Sequence, residues 1–124
     1  EALVAAMNIT SVDAPTGVNE LELAGLATEP SQLIRPPRIA ASPVAFECTA
    51  LSSVVTGPHQ TVVIGRVLSV YIDDKYVKNP ERAHIATPDL DLVSRSLGST
   101  YIRTQDSFEL DRPKWAEWSK ANGR

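Results

Sequence analysis

The sequence predicts a mainly β domain of the β-rich α+β class, on three observations. Apolar and polar residues alternate with a period of two from Val44 to Ser53, with Leu51 as an exception, which is typical of a strand with one covered face. A second run, from Thr61 to Asp73, is rich in β-branched residues, which favour strands. The segment between the runs contains Gly57-Pro58, and a connection of about five residues of these types predicts an antiparallel hairpin.

Burial in this hairpin is predicted from the same pattern. In the first strand Phe46 and Cys48 share the apolar face and Glu47 lies on the opposite face, so Cys48 is expected to be buried. The second strand is apolar on both faces at Val62–Ile64, which predicts burial on both sides there. A lone hairpin is marginal in water, so we expect further strands upstream or on a partner chain.

Short helices are predicted before the hairpin. Residues 1–8 carry apolar side chains at helical spacing, and Asn8 is a suitable stop residue. Asn19 is placed to cap a second, short helix that ends at Gly25. The sequence therefore predicts helices that are peripheral to a sheet.

A further helix is predicted after the hairpin. Thr87-Pro88-Asp89 supplies a cap, a proline and an acid, which together indicate a helix start. This helix is expected to continue to Gly98, with Arg95 near its negative end. Residues 101–103 and 108–110 are predicted to be extended.

Composition excludes several function classes. The 124 residues suit one domain, and the net charge of −3 with scattered Lys and Arg argues against a nucleic-acid binder. No apolar run is long enough to span a bilayer. The single cysteine, Cys48, cannot form an internal disulfide or a cysteine metal cluster, which indicates a reducing compartment such as the cytoplasm. His84 has no companion at ligand spacing, so no metal site is predicted.

Four stretches in order resemble the flavin reductase-like family of FMN-binding split-barrel proteins. The resemblance is carried by AMNITSVDAPTGVNELELAGL, RPPRIAASPVAFECTALSSV, HQTVVIGRVLSVYIDD and LVSRSLGSTYIRTQDSFELDRP. It covers residues 1–113, as the C-terminal part of a flavin reductase-like domain, and residues 114–124 form a C-terminal tail. The family's N-terminal strands are not in this sequence, so the resemblance implies an incomplete split β-barrel with short peripheral helices.

The resemblance also implies a function. A family member would bind FMN, or alternatively FAD, and would take hydride from NAD(P)H, so that the flavin carries the chemistry and no protein residue is expected to be catalytic. Related proteins bind FMN at a dimer interface, which implies a homodimer, and a flavin-dependent monooxygenase is the implied partner. Two alternatives stay open: a non-catalytic FMN-binding electron carrier, and a fragment that binds no flavin alone.

Three candidate residues lie in the second half of the chain. His59 follows Gly57-Pro58, where some family members carry Gly-Asp-His beside the nicotinamide, and an exposed turn histidine is the structural alternative. Arg95 and Tyr101 match the family's closing motif near the flavin. Arg95 is suited to a phosphate and Tyr101 to a flat ring. A helix-end arginine and a tyrosine at the barrel edge are the structural alternatives.

Three more candidates follow the first helix. Asn8, Thr10 and Ser11 lie in a loop that the resemblance places near the flavin tail, and small hydroxyl and amide groups suit phosphate oxygens. Capping of the loop is the structural alternative.

Overall fold

The computed structural model describes residues 1–123, and most of its regular structure is strand. Three short helices and two 3₁₀ segments accompany eight strands. The helices are α1 (Val4–Ile9), α2 (Glu20–Leu23) and α3 (Trp115–Ala121), and the 3₁₀ segments are Asp74–Tyr76 and Thr87–Leu90. The strands are β1 (Thr28–Glu29), β2 (Arg38–Ile39), β3 (Val44–Gly57), β4 (Gln60–Ile72), β5 (Val77–Asn79), β6 (His84–Ile85), β7 (Val93–Arg95) and β8 (Tyr101–Arg103).

The predicted hairpin is confirmed as the antiparallel pair β3–β4, which dominates the fold. Its turn is tighter than predicted, because Gly57 already pairs with Gln60 and only Pro58-His59 lie between them. The register shifts between Glu47 and Cys48 and again between Ala50 and Ser52. An extra residue on one strand interrupts the alternation of faces, so the simple period-two pattern does not hold along the whole strand.

Burial along the hairpin differs from the prediction. Glu47 is 4% exposed, whereas Phe46 is 63% exposed and Cys48 is also exposed. Val62–Ile64, predicted to be covered on both sides, is exposed as well, with Val63 at 61%. These predictions were wrong because nothing among residues 1–123 packs over most of the hairpin. Burial requires a covering layer, which a strand cannot supply for itself.

The barrel is open, as expected from a sequence that lacks the N-terminal strands of the family. Within residues 1–123 the strands form four separate two-stranded sheets, β1–β2, β3–β4, β5–β6 and β7–β8, and no strand joins one sheet to another. The most buried side chains of the described part are Ala86, Leu90 and Glu47. The helices of this part are too short and too polar to cross a membrane.

The helix predicted to run from Thr87 to Gly98 is wrong beyond its first turn. A 3₁₀ segment ends at Leu90, and Asp91 adopts the left-handed conformation at φ 51°. Residues 93–95 then form β7, which pairs with residues 101–103. Asp is among the few residues that tolerate this backbone conformation, and the cross-strand pairing outweighs the weak helical spacing of the apolar residues.

Other local predictions had mixed outcomes. Asn19 caps α2 by accepting a hydrogen bond from the Leu21 N–H, as predicted. Residues 77–79 and 84–85, for which no strand was predicted, pair as the β5–β6 hairpin. Residues 108–110 belong to no strand, and the tail contains α3, in which the Trp115 and Trp118 rings stack at 5.7 Å.

Candidate functional site

A cavity of the described chain lies between α1, α2 and the segment before β7. Its volume is about 720 Å³, and its walls are mainly apolar. Of the six predicted site residues, Thr10 alone lines it. Val93 also lines the cavity, and it lies two residues before Arg95 in β7, so the two residues are on the same face of the strand.

The loop after α1 uses its hydroxyl groups locally. Thr10 Oγ1 donates to the Met7 carbonyl and Ser11 Oγ donates to the Asn8 carbonyl, both at 2.7 Å. These bonds satisfy carbonyls that the end of a short helix leaves without intrahelical partners. The geometry thus favours helix capping for Thr10 and Ser11. A role for Asn8, Thr10 and Ser11 in flavin binding stays a prediction.

Arg95 and Tyr101 are brought together by the β7–β8 hairpin, in which they are directly paired. Arg95 Nε donates to the Gly98 carbonyl at 2.8 Å, and Arg95 Nη1 donates to the Tyr101 hydroxyl at 3.0 Å. The guanidinium carbon also lies 5.2 Å from the centre of the Tyr101 ring, within the range of a cation–π contact. The predicted pair is therefore a structural unit, although not at a helix end.

His59 stands apart from the other candidates. It occupies the two-residue turn at the tip of the β3–β4 hairpin, and its side chain is exposed. Within residues 1–123 it forms no hydrogen bond or ion pair with the other predicted site residues. Its contact with a nicotinamide stays a prediction.

A second, smaller cavity of about 360 Å³ contains two side chains that were not predicted as site residues, Arg38 and Glu47. The Arg38 side chain is only 14% exposed, forms an ion pair with Glu29, and lies over the Tyr71 ring with its guanidinium carbon 3.7 Å from the ring centre. Its Nη1 atom is buried without a hydrogen-bond partner. A sequence signal existed, because Pro36-Pro37 holds this segment extended directly before Arg38.

Glu47, which also lines this cavity, binds the segment between β1 and β2. Its two carboxylate oxygens accept hydrogen bonds from the backbone N–H groups of Gln32 at 2.8 Å and Leu33 at 2.7 Å. A buried carboxylate is stable only when such donors surround it. Glu47 therefore fastens the loop between β1 and β2 to β3, which is a structural role that strand alternation could not indicate.

An ion pair links Glu1 to Arg103 in β8. Arg103 donates to both carboxylate oxygens of Glu1, with Nε at 2.6 Å from Oε2. This side-chain hydrogen bond is the main reason that the pKa of Glu1 lies below its ordinary value, and the same contact raises the pKa of Arg103. Both groups are therefore charged at neutral pH. Elsewhere in residues 1–123, no cluster of three His, Cys, Asp or Glu side chains could hold a metal ion.

Comparisons with known proteins agree with this architecture. Residues 1–85 match the family model described as "Flavin reductase like domain". A protein of Deinococcus radiodurans is 36% identical over 120 residues, which cover 96% of this chain and 52% of that protein. The chain spans about half the length of the curated relatives it matches.

Solved structures show the same fold. Nitrilotriacetate monooxygenase component B from Bacillus cereus is 27% identical with a TM-score of 0.79, and the match covers 89% of this chain and 55% of that one. A split-barrel protein of Shewanella frigidimarina, assigned as a flavin reductase, is 21% identical with a TM-score of 0.79 over 91% of this chain and 57% of its own. The fold is thus an open part of a split barrel, and the chain belongs to the flavin reductase-like family.

Proposed function

We propose that this chain is part of an FMN-binding, NAD(P)H-dependent flavin oxidoreductase. The single observation that carries the proposal is family membership, established by the match over residues 1–85. The similarity to the monooxygenase component from Bacillus cereus extends over most of the chain and supports the same proposal. The proposal concerns the whole protein, of which this chain resembles about half.

The predicted site residues differ in how well they suit a flavin phosphate. Arg95 fits, because its guanidinium is held in place by neutral groups and keeps donors free for an anion. Thr10 and Ser11 fit less well, because their hydroxyl hydrogens already point to backbone carbonyls. The fit is therefore better at the β7–β8 hairpin than at the loop after α1.

The chemistry divides between cofactor and protein. Flavin, when bound, supplies an acceptor for the hydride of a nicotinamide and returns the electrons to oxygen or another acceptor. The tasks of this chain are to bind the phosphate through Arg95, to offer the Tyr101 ring as a flat contact surface, and to limit water at the reacting rings. No side chain is required to transfer a proton, so no residue of this chain is proposed to be catalytic.

Homodimerisation and a monooxygenase partner form part of the proposal. Apolar residues are exposed on both faces of the β3–β4 hairpin, and Val63 is 61% exposed. This exposure supports an interface with additional strands of a longer protein or with a second copy of the chain. The similar Bacillus cereus protein is a component of a monooxygenase, which supports a flavin-dependent monooxygenase as partner. A cytoplasmic location and a division at residue 113 into domain and tail complete the proposal.

Titration with FMN tests the proposal directly. The purified chain is mixed with FMN, and quenching of flavin fluorescence gives the dissociation constant. NADH and NADPH oxidation are then followed with FMN present. Saturable binding with turnover supports an oxidoreductase, whereas binding without turnover supports the electron-carrier alternative. Absence of both contradicts the proposal for this chain alone.

A fragment that binds no flavin by itself is the second candidate, and one observation favours it. The chain covers 52% of its Deinococcus radiodurans relative, and few of its described side chains are buried. Titrating a longer protein that includes the upstream half separates the two candidates. FMN binding only by the longer protein supports the fragment, and equal binding by both supports a complete site in this chain.

A further inference from the structure

We propose that Asn122 is a deamidation site, at which slow conversion of the side-chain amide to a carboxylate unwinds α3. The inference does not rest on the proposed function, since the reaction needs only this chain and water. It rests on the residue that follows Asn122, on the hydrogen bonds that Asn122 makes, and on the position of both tryptophans in α3.

The first observation is the Asn122-Gly123 pair. Asparagine is among the thermolabile residues of proteins. The backbone nitrogen of the next residue attacks its side-chain carbonyl, and a side chain on that next residue hinders the approach. Gly123 has no side chain, its φ is 65°, and nothing lies within 4 Å of the place where a Cβ would stand. Both residues are exposed, so the two reacting groups are adjacent and open to water.

The reaction has two steps. In the first, the backbone nitrogen of Gly123 forms a bond to Cγ of Asn122, the bond from Cγ to Nδ2 breaks, and ammonia leaves with the proton of the attacking amide. A cyclic imide remains. In the second step, water adds to either imide carbonyl and opens the ring to aspartate or to isoaspartate. The net change is the exchange of one amide and one water for one carboxylic acid and one ammonia.

The other three asparagines of the sequence lack this arrangement. Asn8 and Asn19 are followed by isoleucine and glutamate, whose side chains crowd the attacking nitrogen. Asn79 is followed by Pro80, which has no N–H to lose and therefore does not form the imide. These three residues are internal controls for the reaction at Asn122.

The end of α3 restrains the reaction in the folded chain. Asn122 Nδ2 donates to the Trp118 carbonyl at 2.8 Å, and the Asn122 N–H donates to the Trp118 and Ser119 carbonyls. These bonds direct the side chain back toward the helix, whereas the attack requires it to turn toward Gly123. The last turn must therefore open first. A helix of seven residues opens readily, because short helices are marginal in water.

The product does not restore the same cap. An ionised carboxylate has no hydrogen to donate, so the side-chain bond to the Trp118 carbonyl is lost. The new negative charge also lies at the end of a helix that already carries partial negative charge. Lys120, the cation in the last turn, is exposed and offsets only part of this repulsion. Deamidation therefore favours the unwound state of α3.

The two tryptophans of the chain make this change measurable. Trp115 and Trp118 both lie in α3, and their rings stack with centres 5.7 Å apart. Residues three apart in sequence are neighbours while the helix is wound. Unwinding separates the rings, and the sequence has no other tryptophan that contributes to the signal.

The first experiment is incubation of the chain in mildly alkaline buffer, followed by peptide mapping with mass spectrometry. The expected result is a mass gain, equal to the exchange of NH₂ for OH, at Asn122 before any gain at Asn8, Asn19 or Asn79. Gly123→Ala should slow the gain, because a methyl group then crowds the attacking nitrogen. A gain that appears first at another asparagine, or the absence of a gain at Asn122, would overturn the proposal.

A second experiment tests the restraint by α3. In guanidinium chloride the gain at Asn122 should be faster by about fivefold or more, because a hydrogen bond of ordinary strength no longer holds the side chain. Ala121→Gly should accelerate the gain by up to about fivefold in native buffer, since glycine weakens a helix. The same variant should match the wild type in guanidinium chloride. Equal rates in the folded and unfolded chain would refute the restraint.

A third experiment isolates the structural consequence. Asn122→Asp introduces the product charge at once and should weaken the circular dichroism of the stacked tryptophan rings while the strand signal stays unchanged. Asn79→Asp is the matched control, since it adds the same charge and keeps the oxygen that accepts from the Arg82 N–H. Its tryptophan signal should equal that of the wild type. An unchanged tryptophan signal in Asn122→Asp, or an equal loss in both variants, would refute the unwinding of α3 by deamidation.

Discussion

Replacing Glu47 with alanine is expected to release the segment between β1 and β2 from the central hairpin. Glu47 is 4% exposed and accepts hydrogen bonds from Gln32 and Leu33 at 2.8 and 2.7 Å. Hydrogen bonds to a charged group contribute about 1.5–3 kcal/mol each. Loss of both should lower the local opening free energy at these amides by at least about 1.5 kcal/mol.

Amide hydrogen exchange at Gln32 and Leu33 measures this change directly. Since 1.4 kcal/mol corresponds to a factor of ten, exchange at both amides should accelerate by about tenfold or more. Glu47→Gln should have a smaller effect, because one amide oxygen still accepts while the amide nitrogen cannot.

The matched control is Glu81→Ala, which removes an exposed glutamate without a described side-chain partner and should change exchange little. If Glu47→Ala leaves exchange at Gln32 and Leu33 unchanged, the two hydrogen bonds do not hold the segment. If exchange accelerates equally throughout the chain, the effect is global unfolding and the local explanation is refuted.

Further predictions concern backbone conformation, capping and pH. Gly98→Ala should lower the free energy of unfolding, measured by urea denaturation, by about 1 kcal/mol, since φ is 63° there. Ala83→Gly, at a position where φ is 51°, should raise the free energy of unfolding by up to about 1 kcal/mol in the same measurement. Asn19→Ala should cost about 1 kcal/mol by removing the cap of α2, seen as lost helical circular dichroism, and Asn19→Asp should retain the cap. Hydrogen bonds from the backbone and side chain of Lys75 lower the pKa of Asp73 below its ordinary value of 3.8. The contribution of ionised Asp73 to folding stability is therefore present above that pH and is lost as pH falls through the lowered pKa. Asp73→Asn should therefore flatten the acid limb of a stability–pH curve, and an unchanged limb would exclude Asp73 as its cause.

Local features of the fold were predictable because their causes lie within a few residues of chain. The β3–β4 hairpin follows from one run of alternating residues, one β-branched run and a Gly-Pro turn. The Asn19 cap follows from one side chain and the next turn of backbone. The pairing of Arg95 with Tyr101 could also be predicted, for a related reason. Both residues lie in one short motif, and the five residues between them, 96–100, form the loop that brings the two together.

Features that depend on distant partners were not predictable in this way. The segment after Leu90 has helical spacing, but β7 forms because residues 101–103 offer a pairing partner. Arg38 and Glu47 were missed as members of one cavity, because Tyr71 and the amides of residues 32 and 33 are separated from them by 14 to 33 residues of chain.

The sequence by itself determined the mainly β class, the central hairpin, the helix cap and, through its motifs, the family. Only the tertiary structure decided which side chains are buried, where β7 replaces a helix, and that Arg95 is ordered by neutral partners. The physical reason is that backbone propensity and turn chemistry act between neighbours in sequence. Burial, counter-charges and cavities depend on the groups that the fold brings together from distant positions.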